Sequence, residues 1–143
     1  MKPTDISLEF HHVGVACSSL KHEARRFELL GYNLEGEEFS DPVQGVRGCF
    51  MTGGGPRMEL LMPEAEDGVL TPWLKSGVKL YHLAYIADNQ EKAIDYYRNQ
   101  RAKLVVAPVP AIAFGGRHIC FLMLPNMLLI ELIQQELKNI GSS

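Results

Sequence analysis

Apolar and polar positions follow one rhythm twice along the chain. "FHHVGVACSSLKHEARRFELLGYNL", residues 10–34, opens with alternating apolar positions that predict a strand. A serine, Ser18 or Ser19, then precedes an amphipathic helix with Leu20, Ala24, Phe27 and Leu30 on one side, and Gly31 stops it. "YHLAYIADNQEKAIDYYRNQRAKLV", residues 81–105, repeats the sequence of events. Here Asp88 is the predicted cap, with Glu91 at capping-box spacing, and Ala93, Ile94 and Tyr97 form the inner face. Each unit runs on into strand-like segments, "GVRGCFMTGGGPRMELLMP" at 45–63 and "GGRHICFLMLPNMLLIELIQ" at 115–134. The "TGGGP" run has neither the strand–turn–helix setting nor the lysine of a phosphate loop, and reads as a hairpin turn.

The pattern therefore predicts an α+β fold made of two strand–helix–strands units within one domain, residues 1–143. The first spans about 8–64 and the second about 79–135. Between them lies a linker, about 65–78, in which Thr71-Pro72 has the form of a cap followed by proline at the first helical position. A short helix around Trp73 and Leu74 follows from it.

Composition narrows the function. A chain of 143 residues with 46% hydrophobic content can bury a core of its own. The net charge of −3 and scattered Lys and Arg speak against nucleic acid. Three cysteines, Cys17, Cys49 and Cys120, lack C-x-x-C spacing and are expected as buried thiols rather than as disulfides or zinc ligands. The N-terminus has no apolar leader, and "NMLLIELI" is too short and too polar to span a bilayer, so a cytoplasmic location is expected.

Two carboxylates stand out against this background. Glu59 in "RMELLMP" and Glu131 in "LLIELIQ" sit among apolar neighbours in strands, where an unpaired charge is costly. Glu59 follows His12 by 47 positions and Glu131 follows His82 by 49. Each unit thus carries a His on its first strand and a Glu on its last, and two His with two Glu suit a divalent metal: Zn, Mn, Fe, Co or Ni. Strict alternation places Phe10, Gly14 and Ala16 on the face of His12, and Leu80, Ala84 and Ile86 on that of His82, with the small residues leaving room for a metal and substrate. His11, His22 and His118 lack this symmetry and are expected in structural or surface roles.

"HHVGVA", "RMELLMP", "YHLAYIAD", "FGGRHICFL" and "LLIELIQ" together resemble the vicinal oxygen chelate superfamily, the glyoxalase and bleomycin-resistance fold, from about Leu8 to Gln135. The resemblance implies paired βαβββ modules curled into a mixed-sheet half-barrel around a metal cleft, with His12, Glu59, His82 and Glu131 as ligands. It also implies a small-molecule substrate and a homodimer. Within the superfamily, "DPVQGVRGCFM" and the "WLKSG" linker are similar to methylmalonyl-CoA epimerases. Those enzymes carry a glutamate, proposed as a base, shortly after Q-G-V; here Gly48 stands at that place. The activity implied is metal-assisted proton abstraction beside an acyl-CoA thioester, with Glu131 and then Glu59 as the base. Arg117 is the candidate for holding a substrate phosphate or carboxylate, and an arginine in a surface turn is the competing reading. The alternatives are a glyoxalase-type lyase acting on a glutathione adduct, or a small-molecule or antibiotic-binding protein of the same fold. An iron-dependent dioxygenase also stays open.

Overall fold

A computed structural model describes residues 5–64, 68 and 70–136. The first half contains β1 (Leu8–Ala16), α1 (Leu20–Glu28), β2 (Asn33–Asp41), β3 (Val46–Thr52) and β4 (Met58–Pro63). A short helix α2 (Thr71–Ser76) leads to β5 (Leu80–Ala87), α3 (Gln90–Asn99), β6 (Lys103–Pro110), β7 (His118–Met123) and β8 (Leu129–Gln134). Part of the predicted linker, residues 65–67 and 69, lies outside the described residues. The strands form one mixed sheet in the order β2-β3-β4-β1-β5-β8-β7-β6. β1 runs parallel to β4, β5 runs parallel to β8, and the halves join through the antiparallel pair β1–β5.

The sheet stays open but curls. β2 and β6 are its opposite edges, yet the Ile112 N–H, in a 3-10 turn (Ile112–Phe114) after β6, donates to Asp41 Oδ2 at the end of β2, 3.3 Å away. Helices cover the outer face. Leu20 of α1 packs with Val15, Met51 and Leu60, and Ala93 and Ile94 of α3 pack with Leu122, Ile130 and Leu132. The inner face carries a third cluster drawn from both halves, with Leu61, Tyr81, Phe114, Phe121 and Ile133 among its members. No helix among the described residues is long and apolar enough to cross a membrane.

Several local expectations shift. Ser19 caps α1 by accepting from the His22 N–H, but the helix ends at Glu28, so Leu30 lies beyond it and is exposed. The cap of α3 is Asn89, not Asp88; Asp88 Oδ1 is already engaged by the Ser7 and Asn89 N–H groups. Helix α2 starts one residue earlier than predicted, with Leu70 at the cap position, and Gly77 closes it in the left-handed region at φ 77°. The "TGGGP" run forms the β3–β4 turn, where Gly53 takes φ 108°. All three cysteines are buried and free.

Candidate metal centre

The centre begins with two departures from strand alternation. β1 and β5 pair Phe10 with Tyr85 and then His12 with Ala84, leaving His11 as an extra residue; on β5, Gly14 pairs with His82 and Val15 with Leu80, leaving Tyr81 extra. A bulge of this kind re-aims side chains by half a strand period. Phe10 consequently turns to the outer face against Tyr85, and Leu80 is exposed, contrary to the alternation expected from the sequence. His11 and Tyr81 join His12 and His82 in the cleft, as ring contacts show: His11 meets Phe50 and Phe114, and Tyr81 meets His82.

The outer partners of β1 and β5 then supply carboxylates. Glu59 on β4 lies beside Gly14, and Glu131 on β8 lies beside Ala84. Gly14 has a specific task, since a Cβ there would overlap the His82 ring. The four predicted residues are brought together, with one donor atom from each lying within 4.8 Å of the others. The four residues are almost fully enclosed, at 0% exposure for His12, 2% for His82, 4% for Glu59 and 3% for Glu131. The His12 and His82 Nε2 atoms are 3.1 Å apart. Glu59 Oε1 lies 3.1 Å from His12 Nε2 and 3.8 Å from His82 Nε2, while Glu131 Oε1 lies 3.3 and 3.2 Å from the same two atoms.

This donor set fits a divalent cation. Bonds of about 2.1 Å at tetrahedral or right angles put neighbouring donors about 3.0–3.4 Å apart, close to most of these separations. Glu131 Oε1 is buried and faces both imidazole Nε2 atoms, yet among the described residues no well-directed hydrogen bond reaches it. Such an orphaned atom is costly unless something else satisfies it. Burial disfavours a charged His12, but Glu59 and Glu131 outweigh it and push its pKa up to about 9. Burial likewise opposes ionisation of Glu131, and the two imidazoles overcome it, holding the carboxyl far below its ordinary range.

His11 is the residue whose part the sequence pattern missed. Its Nδ1 lies 2.8 Å from His12 Nδ1, so one ring donates to the other. Burial, then the neighbouring His12 and Arg57, lower its pKa to about 4. A neutral His11 can accept from His12 Nδ1–H, which leaves His12 Nε2 free to face the other donors. The visible signal was the His11-His12 doublet itself, which strict alternation would have split across two faces. His82 has no counterpart of this contact, and its Nδ1 is buried without a hydrogen-bond partner among the described residues. His22 and His118 are exposed.

Aromatic rings wall the centre. Phe50, opposite Glu59 on β3, meets the His12 ring edge-on at 5.5 Å, and Phe121, opposite Glu131 on β7, meets His82 at 5.2 Å. Phe114 stacks on His12 at 6.1 Å. Gly48 shares the inward face of β3, and a Cβ there would lie 2.5 Å from Phe39 Cζ, so a phenyl ring fills that position. Arg117 contacts Phe114 rather than the four-residue cluster: its Nε donates to the Phe114 carbonyl at 3.2 Å and Nη1 to the Gln134 carbonyl at 3.4 Å.

An open mixed sheet of two βαβββ halves, with a His and a Glu from each half meeting on its inner face, defines a duplicated-module chelate fold. The family model for the Glyoxalase/Bleomycin resistance protein/Dioxygenase superfamily matches residues 11–121, and the chain belongs to that superfamily. Solved structures agree. A hypothetical protein from Bacillus halodurans C-125 is 23% identical, with a TM-score of 0.78 over 94% of this chain and 99% of that one. Methylmalonyl-CoA epimerase from Mycobacterium tuberculosis is 23% identical, with a TM-score of 0.75 over 90% and 89%. A variant of the Streptomyces coelicolor epimerase, in complex with 2-nitronate-propionyl-CoA, is 22% identical, with a TM-score of 0.75 over 92% and 100%. At these identities the likeness carries the fold. No curated protein matches the chain in sequence.

Proposed function

We propose that the chain is a divalent-metal-dependent enzyme that moves a proton at the carbon beside a carbonyl, as an epimerase or isomerase of an acyl-CoA thioester. The observation that carries this reading is the convergence of His12, Glu59, His82 and Glu131 within 4.8 Å in an enclosed apolar site. A cation held by these four would act as a Lewis acid on the substrate oxygens and stabilise the charge that develops there. Glu131 is the proposed base, because its carboxylate reaches the heart of the centre, with Oε1 3.3 and 3.2 Å from the two imidazoles, within reach of a substrate held there. Glu59, which reaches the same centre from the other half, is the proposed second base that returns the proton. The aromatic walls exclude water, and His11 orients His12. Arg117, beside Phe114, is the proposed contact for an anionic group of the carrier, although the groove of about 730 Å³ that it lines also carries the carboxylates of Glu91, Asp95 and Glu136.

One observation favours a second reading. The position that carries the epimerase glutamate is Gly48 here, and Phe39 covers it. A glyoxalase-type lyase that uses Glu59 and Glu131 as its bases needs no carboxylate on β3.

Elemental analysis of tag-free protein tests the common ground. We expect about one equivalent of a transition metal per chain, lost in both His82→Ala and Glu131→Ala. Absence of metal after reconstitution with Zn, Co, Ni, Mn and Fe in turn would sink the enzyme reading. Solvent deuterium entering the α-carbon of an acyl-CoA thioester supports the epimerase, and turnover confined to a glutathione hemithioacetal supports the lyase.

A further inference from the structure

The two halves of the cleft are built alike and filled differently. In the first half, Phe39 and Phe50 pack 5.9 Å apart, and the space above Gly48 is closed. In the second half, a hollow of about 370 Å³ is bounded by Pro72 and Trp73 of α2, Tyr81, Val106, Phe121 and Leu129. It shares two walls with the four-residue centre, because the Tyr81 and Phe121 rings also touch His82, at 4.4 and 5.2 Å. Leu129 lies two residues before Glu131 on the same face of β8, and Phe121 pairs with Glu131 across the ladder. Among the described residues lining the hollow, none is charged and only Tyr81 and Trp73 carry a polar side-chain atom.

From this asymmetry we infer that the hollow is a specificity pocket for an uncharged, ring-sized apolar substituent on the carbon that Glu131 deprotonates. An ionised substituent entering it would lose its hydration with no counter-charge to replace it. The volume is at the low end of small-molecule sites, about 300–1,000 Å³, so it admits a substituent and leaves a nucleotide carrier outside. Tyr81, Trp73 and Phe121 offer ring surfaces suited to an aryl or branched alkyl group. The inference rests on the proton-transfer reading for the reaction, but the pocket can be tested without it.

Trp73 is the single tryptophan of the chain and stands in the pocket wall, so its fluorescence reports occupancy. Titration of the full metal-loaded chain with uncharged 3-phenylpropionamide should give a saturable change. Charged succinamate should give none, and Val106→Phe, which fills the pocket, should abolish the response to the first probe. No response, or equal responses to both probes, overturns the pocket. In parallel, α-proton exchange in deuterium oxide is compared for 3-phenylpropionyl-CoA, propionyl-CoA and methylmalonyl-CoA. The expected preference for the phenyl substrate is about 10-fold or more in kcat/KM, falling to within about 2-fold in Val106→Phe. A preference for methylmalonyl-CoA overturns the inference while leaving the proton-transfer reading intact. Saturable binding of the amide with no exchange on any thioester overturns the reading and leaves the pocket standing.

Discussion

Gly14 shows how much of the centre depends on one missing methyl group. Its Cα lies beside His82 on the neighbouring strand, and any Cβ would overlap that ring. Gly14→Ala leaves all four donor residues in the chain but forces the imidazole to move. We expect a loss of about 1–3 kcal/mol of stability in urea melts, the usual cost of overpacking. Bound metal should fall sharply in the same variant, and full retention would show that the His82 ring has another place to go. A small residue at position 14 was readable from the sequence as room for a ligand. That the room is taken by His82 itself was not, because it depends on the register between β1 and β5.

Among the secondary-structure elements, α3 adds to the packing of Ala93 and Ile94 a polar tie to the sheet made by one residue. Gln90, in its first turn, donates from Nε2 to the His118 carbonyl of β7 at 3.1 Å and to the Leu132 carbonyl of β8 at 2.9 Å. Its backbone N–H donates to Gln134 Oε1 at 2.8 Å. Gln90→Ala removes the donor from the buried Leu132 carbonyl and from the half-buried His118 carbonyl, at about 1–3 kcal/mol. Hydrogen exchange should show faster opening of α3 in that variant, with β1 and β4 unchanged. The elements themselves were legible because apolar period and turn residues recur in both halves. Their fine structure was less so. Asp88 and Asn89 are equally good capping types, and only the competing demand of the Ser7 N–H on Asp88 decides between them. The bulges at His11 and Tyr81 add a residue to a strand without changing its composition, so a period-two reading cannot see them.

In the molecule as a whole, the helices seal the outer face over the thiols. Burial pushes Cys17 and Cys120 up to about 12 and Cys49 to about 11. Thiol reagents should therefore leave the native protein unlabelled at about pH 8 and label all three cysteines once it is unfolded. The sign of the pH effect follows. The unfolded thiols ionise near pH 9 while the folded ones stay protonated, so the folded state holds more protons above that pH. The thiols' contribution to stability is intact below about pH 9 and falls as pH rises toward 11–12, by up to about 1.4 kcal/mol per pH unit for each thiol. Chemical melts between about pH 8 and pH 10.5 check this, and a flat profile would contradict it.

The four-residue constellation could be read from the sequence because it is repeated, and repetition survives when tertiary contacts are unknown. The contrast between the two walls could not, since Phe39 reaches Gly48 from a separate strand. That contrast has a consequence for why the halves share one chain. Two copies of a single unit, docked through a self-complementary strand pair like β1–β5, would already present two imidazoles and two carboxylates, but their walls would be identical by symmetry. Such a pair could be closed on both sides or hollow on both sides, and nothing else. Covalent fusion removes the requirement of sameness, so one side can serve as a rigid anvil and the other as a mould, around a charge cluster to which each contributes equally.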